Sequence, residues 1–148
     1  MGLYYLETSA LVKLYVREPG TERLLALAAR PANNRFTILS LPQVEFRSAI
    51  RRGEKNGEIP AFVVTQLIDS FKNHLETRFA VQVVNDFVLD ISCVLVDRYT
   101  LRAFDAIQLA GYVALRNTTG AEVPFFVCSD RELLTASHEG ASILDPYS

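Results

Sequence analysis

The apolar positions of this chain fall into short runs separated by stretches with helical spacing. Residues 3–6, Leu-Tyr-Tyr-Leu, make an apolar run stopped by Glu7-Thr8-Ser9, after which Ala10, Leu11, Leu14 and Tyr15 recur at helical intervals. The pattern predicts a strand, a cap and a helix, with Thr8 or Ser9 accepting from the free N–H groups of the first turn. The break at Glu18-Pro19-Gly20 ends that helix before a second one over about 21–30, and 35–40 reads as a second buried strand.

From Leu41 to Asn56 the chain predicts a helix that carries Glu45 on its first turns, with Pro42 at a tolerated early position and Gly57 as the stop. Pro60 opens another helix to about Thr77, whose expected apolar stripe is Phe62, Leu67, Ile68, Phe71 and Leu75. A strand over 80–84, helices over 86–99 and 103–117, an apolar strand over 122–128, a short helical segment over 131–137 and a last strand over 141–144 complete the pattern. Strands that are apolar throughout, alternating with helices, predict a parallel sheet covered on both faces. The fold class is α/β, a three-layer sandwich with a central parallel sheet, in a single domain over 1–148.

Composition narrows the classes. With 49% hydrophobic residues in 148, one sizeable core is within reach. The 15 basic and 17 acidic residues leave a net charge of -2, so the broad positive field of many nucleic-acid binders is missing and any RNA contact must be local. Cys93 and Cys128 have no finger or CxxC spacing, which sets aside a zinc site and a disulfide framework in favour of buried free thiols in a reducing cytoplasm. No leader, lipidation signal or membrane-length apolar run is visible.

The candidate chemistry is carboxylate. In parallel sheets ligands collect at the carboxyl ends of the strands, and Glu7 ends the first strand, Glu45 starts the helix after the second, and Asp130 follows the run 122–128. Asp105 stands in the first turn of the helix that begins near Ala103. Taken singly, Asp105 and Asp130 suit capping and the helix dipole equally well, Ser129-Asp130 is a good N-cap, and Glu45 suits a solvated helix surface. Their shared placement carries the argument.

Two carboxylates about 5 Å apart repel by roughly 3 kcal/mol at an effective dielectric of about 20. One or two divalent cations with oxygen preference, Mg²⁺ or Mn²⁺, would relieve that repulsion, activate water and serve a phosphodiester reaction; without them at least one acid should hold a proton at raised pH. His74, read as lying on a polar part of its helix, and His138 have no Ser or Cys nucleophile in a recognisable arrangement, so neither is a candidate base.

Four blocks in order resemble the PIN domain, and especially VapC-type toxins: YYLETSALVKLYVREPG, VEFRSAIRR, FDAIQLAGYVAL and FVCSDRELLTASHEGASILDP. The resemblance covers almost the whole chain. It implies that Glu45 is the acid of the E-x-x-S-A segment, Asp105 that of the D-A-x-x-L-A helix and Asp130 that of the S-D turn. The first position departs: the family most often has Asp there, and Glu7 lengthens the arm by about 1.5 Å. Thr8, Ser9 and Ser129 would support the acids.

The resemblance further implies a metal-dependent endoribonuclease acting on RNA, a homodimer, and inhibition by a small antitoxin protein bound across the groove. Lys13, Arg17, Arg47, Arg51, Arg52 and Lys55 are candidate phosphate contacts, with a solvated face balanced by Glu54 and Glu58 as the plain alternative. A degenerate PIN-like module that binds RNA or docks a partner without turnover is the alternative that Glu7 motivates. A phosphotransfer domain with an aspartyl nucleophile fits less well, because the first-strand acid is Glu and the downstream Lys has no clear counterpart.

Overall fold

A computed structural model describes residues 2–128 and 136–146. Five strands, β1 (Gly2–Leu6), β2 (Asn34–Leu39), β3 (Phe79–Gln82), β4 (Phe125–Val127) and β5 (Ser142–Leu144), form one sheet in the order β3-β2-β1-β4-β5, every pairing parallel. The helices are α1 (Thr8–Val12), α2 (Thr21–Ala28), α3 (Pro42–Lys55), α4 (Ala61–Thr77), α5 (Asp86–Tyr99) and α6 (Ala103–Thr118). Parallel neighbours need crossovers, and these helices supply them.

Alternation along each strand builds the two outer layers. Tyr5, Leu39 and Phe126 pack with α5 and α6, through Val88, Leu95, Ala106 and Leu109. Their immediate neighbours Leu6, Ile38 and Val127 pack with Leu11, Phe46, Ile50, Val64 and Phe71 on the opposite side. Consecutive strand residues point to opposite faces, so a strand buried on both sides must be apolar at every position. That explains the unbroken apolar runs, and the three-layer α/β arrangement expected from them is the observed one.

Several local expectations need correction. Helix α1 ends at Val12, and Leu14 and Tyr15 follow in tighter turns, their amides donating to Leu11 and Val12 oxygens three residues back at 3.1 and 3.0 Å. Phe62 does not join the buried stripe of α4: it is 72% exposed, because it lies two residues, about 200° of helix, from buried Val64. The expected strand 122–128 shrinks to β4, since Pro124 has no N–H for the ladder and Val123 faces solvent. The expected strand 80–84 shifts to β3, leaving Val83 exposed. Of the two thiols only Cys128 is buried; Cys93 is exposed. The segment expected to be helical over 131–137 lies largely outside the described residues, and a 3-10 helix covers Ala136–Glu139. Among the described residues no helix is long and apolar enough to cross a membrane.

Candidate active site

The strand order places a topological switch between β1 and β4. From β1 the chain moves outward through β2 and β3, then returns to the other side for β4 and β5. The chain leaving β1 turns toward β2 while β4 lies along the other edge of β1, and a crevice opens at the carboxyl end of β1. Glu7 stands at that point: its amide extends the ladder by one bond, to Val127 O at 3.0 Å, and its side chain begins α1.

Glu7, rather than Thr8 or Ser9, is the N-cap of α1. Its Oε2 accepts from the Ser9 amide at 2.9 Å and from the Ser9 hydroxyl. Thr8 is thereby free to turn inward, where its hydroxyl donates to Glu45 Oε1 at 2.7 Å. Glu45 comes from the first turn of α3, which Pro42 opens at a position whose N–H needs no helical partner. Asp105 occupies the first turn of α6 and is half-buried.

The three described acids share one electrostatic neighbourhood. Glu7 is 5% exposed. Burial pushes its carboxyl up most strongly, the two Ser9 hydrogen bonds pull it down, and the Glu45 and Asp105 carboxylates push it up again, leaving it at about 7. The expectation that one acid would hold a proton at raised pH is met at Glu7. Burial, with Glu7 and Glu45 nearby, also raises the Tyr5 hydroxyl well above its usual range, so it remains a neutral donor. Asp130 and Ser129 lie outside the described residues.

A cleft of about 640 Å³ opens over these groups, lined by Glu7, Thr8, Ser9, Lys13, Glu45, Ser48, Arg52, Val44 and Phe104. The basic candidates divide. Lys13 is 1% exposed and donates to Glu18 at 2.9 Å, so it is an interior ion pair at the cleft wall rather than a surface phosphate contact. Arg52 lines the cleft and donates to Ser48 Oγ at 2.6 Å. Arg17 and Arg51 are paired with Glu22 and Glu54, and Arg47 borders a different depression against α4. Lys55 is exposed at the far end of α3.

His74 is not on a polar face. Its Nδ1 meets the Tyr15 hydroxyl at 2.6 Å among Tyr15 and Phe79 rings, and burial lowers its pKa. Neither His74 nor exposed His138 lines the cleft. The residue missed in the sequence is Gln108, buried in α6, whose Nε2 donates to Thr8 Oγ1 and Glu45 Oε1, both at 2.9 Å. Its signal was available: a polar residue three positions after Asp105, on the same helical face, within an apolar block.

Carboxylate oxygens are the donors that hard divalent cations prefer, and Mg²⁺ uses one or two carboxylates while keeping several waters. Among the described residues no three His, Cys, Asp or Glu side chains stand close enough together to hold a metal ion. Two carboxylates, Glu7 and Glu45, line the water-accessible cleft, and that pair fits a cation that keeps several of its waters.

A five-stranded parallel sandwich with acids at its switch point is the PIN-like fold of VapC-type proteins, and known structures of this fold superpose along nearly the whole chain. A toxin–antitoxin complex from Klebsiella pneumoniae matches at TM-score 0.61 and 16% identity over 98% of each chain. VapBC2 from Rickettsia felis, bound to a DNA fragment from its promoter, matches at 0.63 and 12% over 97% of this chain and 98% of that one. PAE2754 from Pyrobaculum aerophilum matches at 0.64 and 21% over 98% and 84%. At these identities the likeness is one of fold. No family model and no curated protein sequence matches the chain.

Proposed function

We propose that the chain is a divalent-metal-dependent endoribonuclease that hydrolyses RNA phosphodiester bonds, and that it is the toxin of a toxin–antitoxin pair. The observation that supports the nuclease reading is the pair Glu7 and Glu45 lining the switch-point cleft, with Glu7 driven to about 7 by burial and by the Glu45 and Asp105 carboxylates. A buried carboxyl shifted this far, in a cleft beside other acids, is the kind of group that functional sites use. The toxin reading rests on the fold shared with toxin–antitoxin proteins.

Glu7, Glu45 and Asp105, with Asp130 as the fourth acid implied by the sequence, would hold Mg²⁺ or Mn²⁺. When bound, such a cation supplies water activation and offsets charge building on the phosphate. The chain itself does the positioning. Ser9 fixes one oxygen of Glu7, Thr8 and Gln108 fix one oxygen of Glu45, and Arg52 at the cleft wall is the basic group best placed for a substrate phosphate. Val44 and Phe104, 70% and 58% exposed at the cleft rim, offer apolar surface for a base or for an antitoxin side chain. The RNA substrate, the antitoxin and a homodimeric state belong to this same reading.

The test is cleavage of a single-stranded RNA by purified protein with and without Mn²⁺, beside Asp105→Asn. Metal-dependent products that disappear in the variant are expected. Undiminished cleavage by Asp105→Asn would overturn the acid assignment.

A further inference from the structure

We propose that Gln108 is a positioning residue for Glu45, selecting which of its carboxylate oxygens faces the cleft; the inference rests on the metal-dependent reading above. Gln108 is 1% exposed, and both hydrogens of its Nε2 are used, on Thr8 Oγ1 and Glu45 Oε1. The direction of the amide follows from chemistry. Turned over, it would set its own oxygen against the Glu45 carboxylate, two acceptors in contact, so the NH₂ must face Glu45. The Tyr5 hydroxyl donates to the Gln108 backbone carbonyl at 2.7 Å and lies 3.3 Å from the side-chain Oε1.

The Thr8 hydroxyl has one proton. Because it accepts from Gln108, it must spend that proton on Glu45 Oε1. Oε1 therefore receives two donors from the protein, and among the described residues Oε2 receives none. The carboxylate is thus pinned by one oxygen and presents the other. The same amide ties α6, which carries Asp105, to α3 and to the turn after β1, which carries Glu7, so the spacing of all three acids passes through one side chain. Partners of this kind beside metal ligands are worth about 10- to 100-fold in metal affinity.

The experiment is Mn²⁺ titration by calorimetry on the full chain, comparing wild type with Gln108→Met, which keeps the volume and removes the donors, and with Gln108→His, which restores an N–H at about the same reach. Affinity about tenfold weaker in Gln108→Met and returned to within a few-fold by Gln108→His is the expected result, both variants keeping the wild-type circular dichroism. Equal affinity in Gln108→Met and wild type overturns the proposal. If Gln108→Met does not fold, Thr8→Val removes the companion donor and must weaken Mn²⁺ binding in its place. If the wild type itself takes up no Mn²⁺, the metal reading falls, and the crystal structure of Gln108→Met decides the positioning role: a Glu45 carboxylate in its wild-type orientation refutes it.

Discussion

Replacing Glu7 with Gln should make folding less sensitive to pH. A carboxyl that moves from 4.5 to about 7 on folding favours its protonated form in the folded chain by roughly 3 kcal/mol. Below pH 4.5 both folded and unfolded chains hold the proton, and Glu7 makes no difference. Between 4.5 and 7 the folded chain keeps a proton the unfolded chain has lost, so stability falls as pH rises; above 7 the full cost is present. The Gln side chain still accepts from Ser9, and its extra N–H group adds an offset that is the same at every pH. The measurement is urea unfolding in EDTA at pH 5, 6, 7 and 8, with the wild type expected to lose about 2–3 kcal/mol more than Glu7→Gln across that range. Parallel pH profiles would refute the argument, because they would mean that Glu7 is solvated or already compensated.

The same acid sets a proton count for cation binding. At pH 6 Mn²⁺ uptake should release close to one proton and near pH 8 almost none, read from calorimetry in buffers of different ionisation heat; a release independent of pH would exclude Glu7 as a ligand. Gly111→Ala should destabilise by about 1–3 kcal/mol in urea, although the same change in an open helix stabilises by about 1 kcal/mol. The added Cβ would fall on the Tyr5 hydroxyl and lie 2.9 Å from Leu39 Cδ1, both buried. Glu7→Asp keeps a good N-cap and shortens the arm by about 1.5 Å, so the fold should hold within about 1 kcal/mol while Mn²⁺ binds more tightly. An affinity loss of tenfold or more would show a site built around the longer acid.

The layers were legible because the physics is local: a strand buried on both faces must be apolar at successive residues, and Tyr5-Leu6, Ile38-Leu39 and Phe126-Val127 are. The placements of Glu7, Glu45 and Asp105 were legible because strand ends and first turns are marked by the caps and stops around them. What was hidden depends on contacts between distant elements. Lys13 reads as a surface cation until Glu18 is found 2.9 Å away. His74 reads as polar until Tyr15, 59 residues distant in sequence, meets its ring. Gln108 gains its meaning only when β1, α3 and α6 converge, since its partners lie 100 and 63 residues away. The cap was expected at Thr8 or Ser9, the usual capping types, and not at Glu7, because only the structure shows Thr8 turned toward Glu45 and Glu7 accepting from the Ser9 amide.

The energetics of Glu7 also bear on the choice between an active enzyme and a degenerate module. A domain stable by about 5–15 kcal/mol gives up a large share of that as one buried carboxyl ionises above about pH 7. Structural acids are compensated by bases, yet among the described residues neither Glu7 nor Glu45 has a salt-bridge partner, and Lys13 at the cleft wall donates to Glu18. The donors that do reach these acids, from Ser9, Thr8 and Gln108, are neutral: they orient charge without cancelling it. A module that only docked a partner would be relieved by any neutral residue at position 7. A site of the proposed kind, built to attract a cation, would keep an acid there, and binding the cation would return the cost to stability.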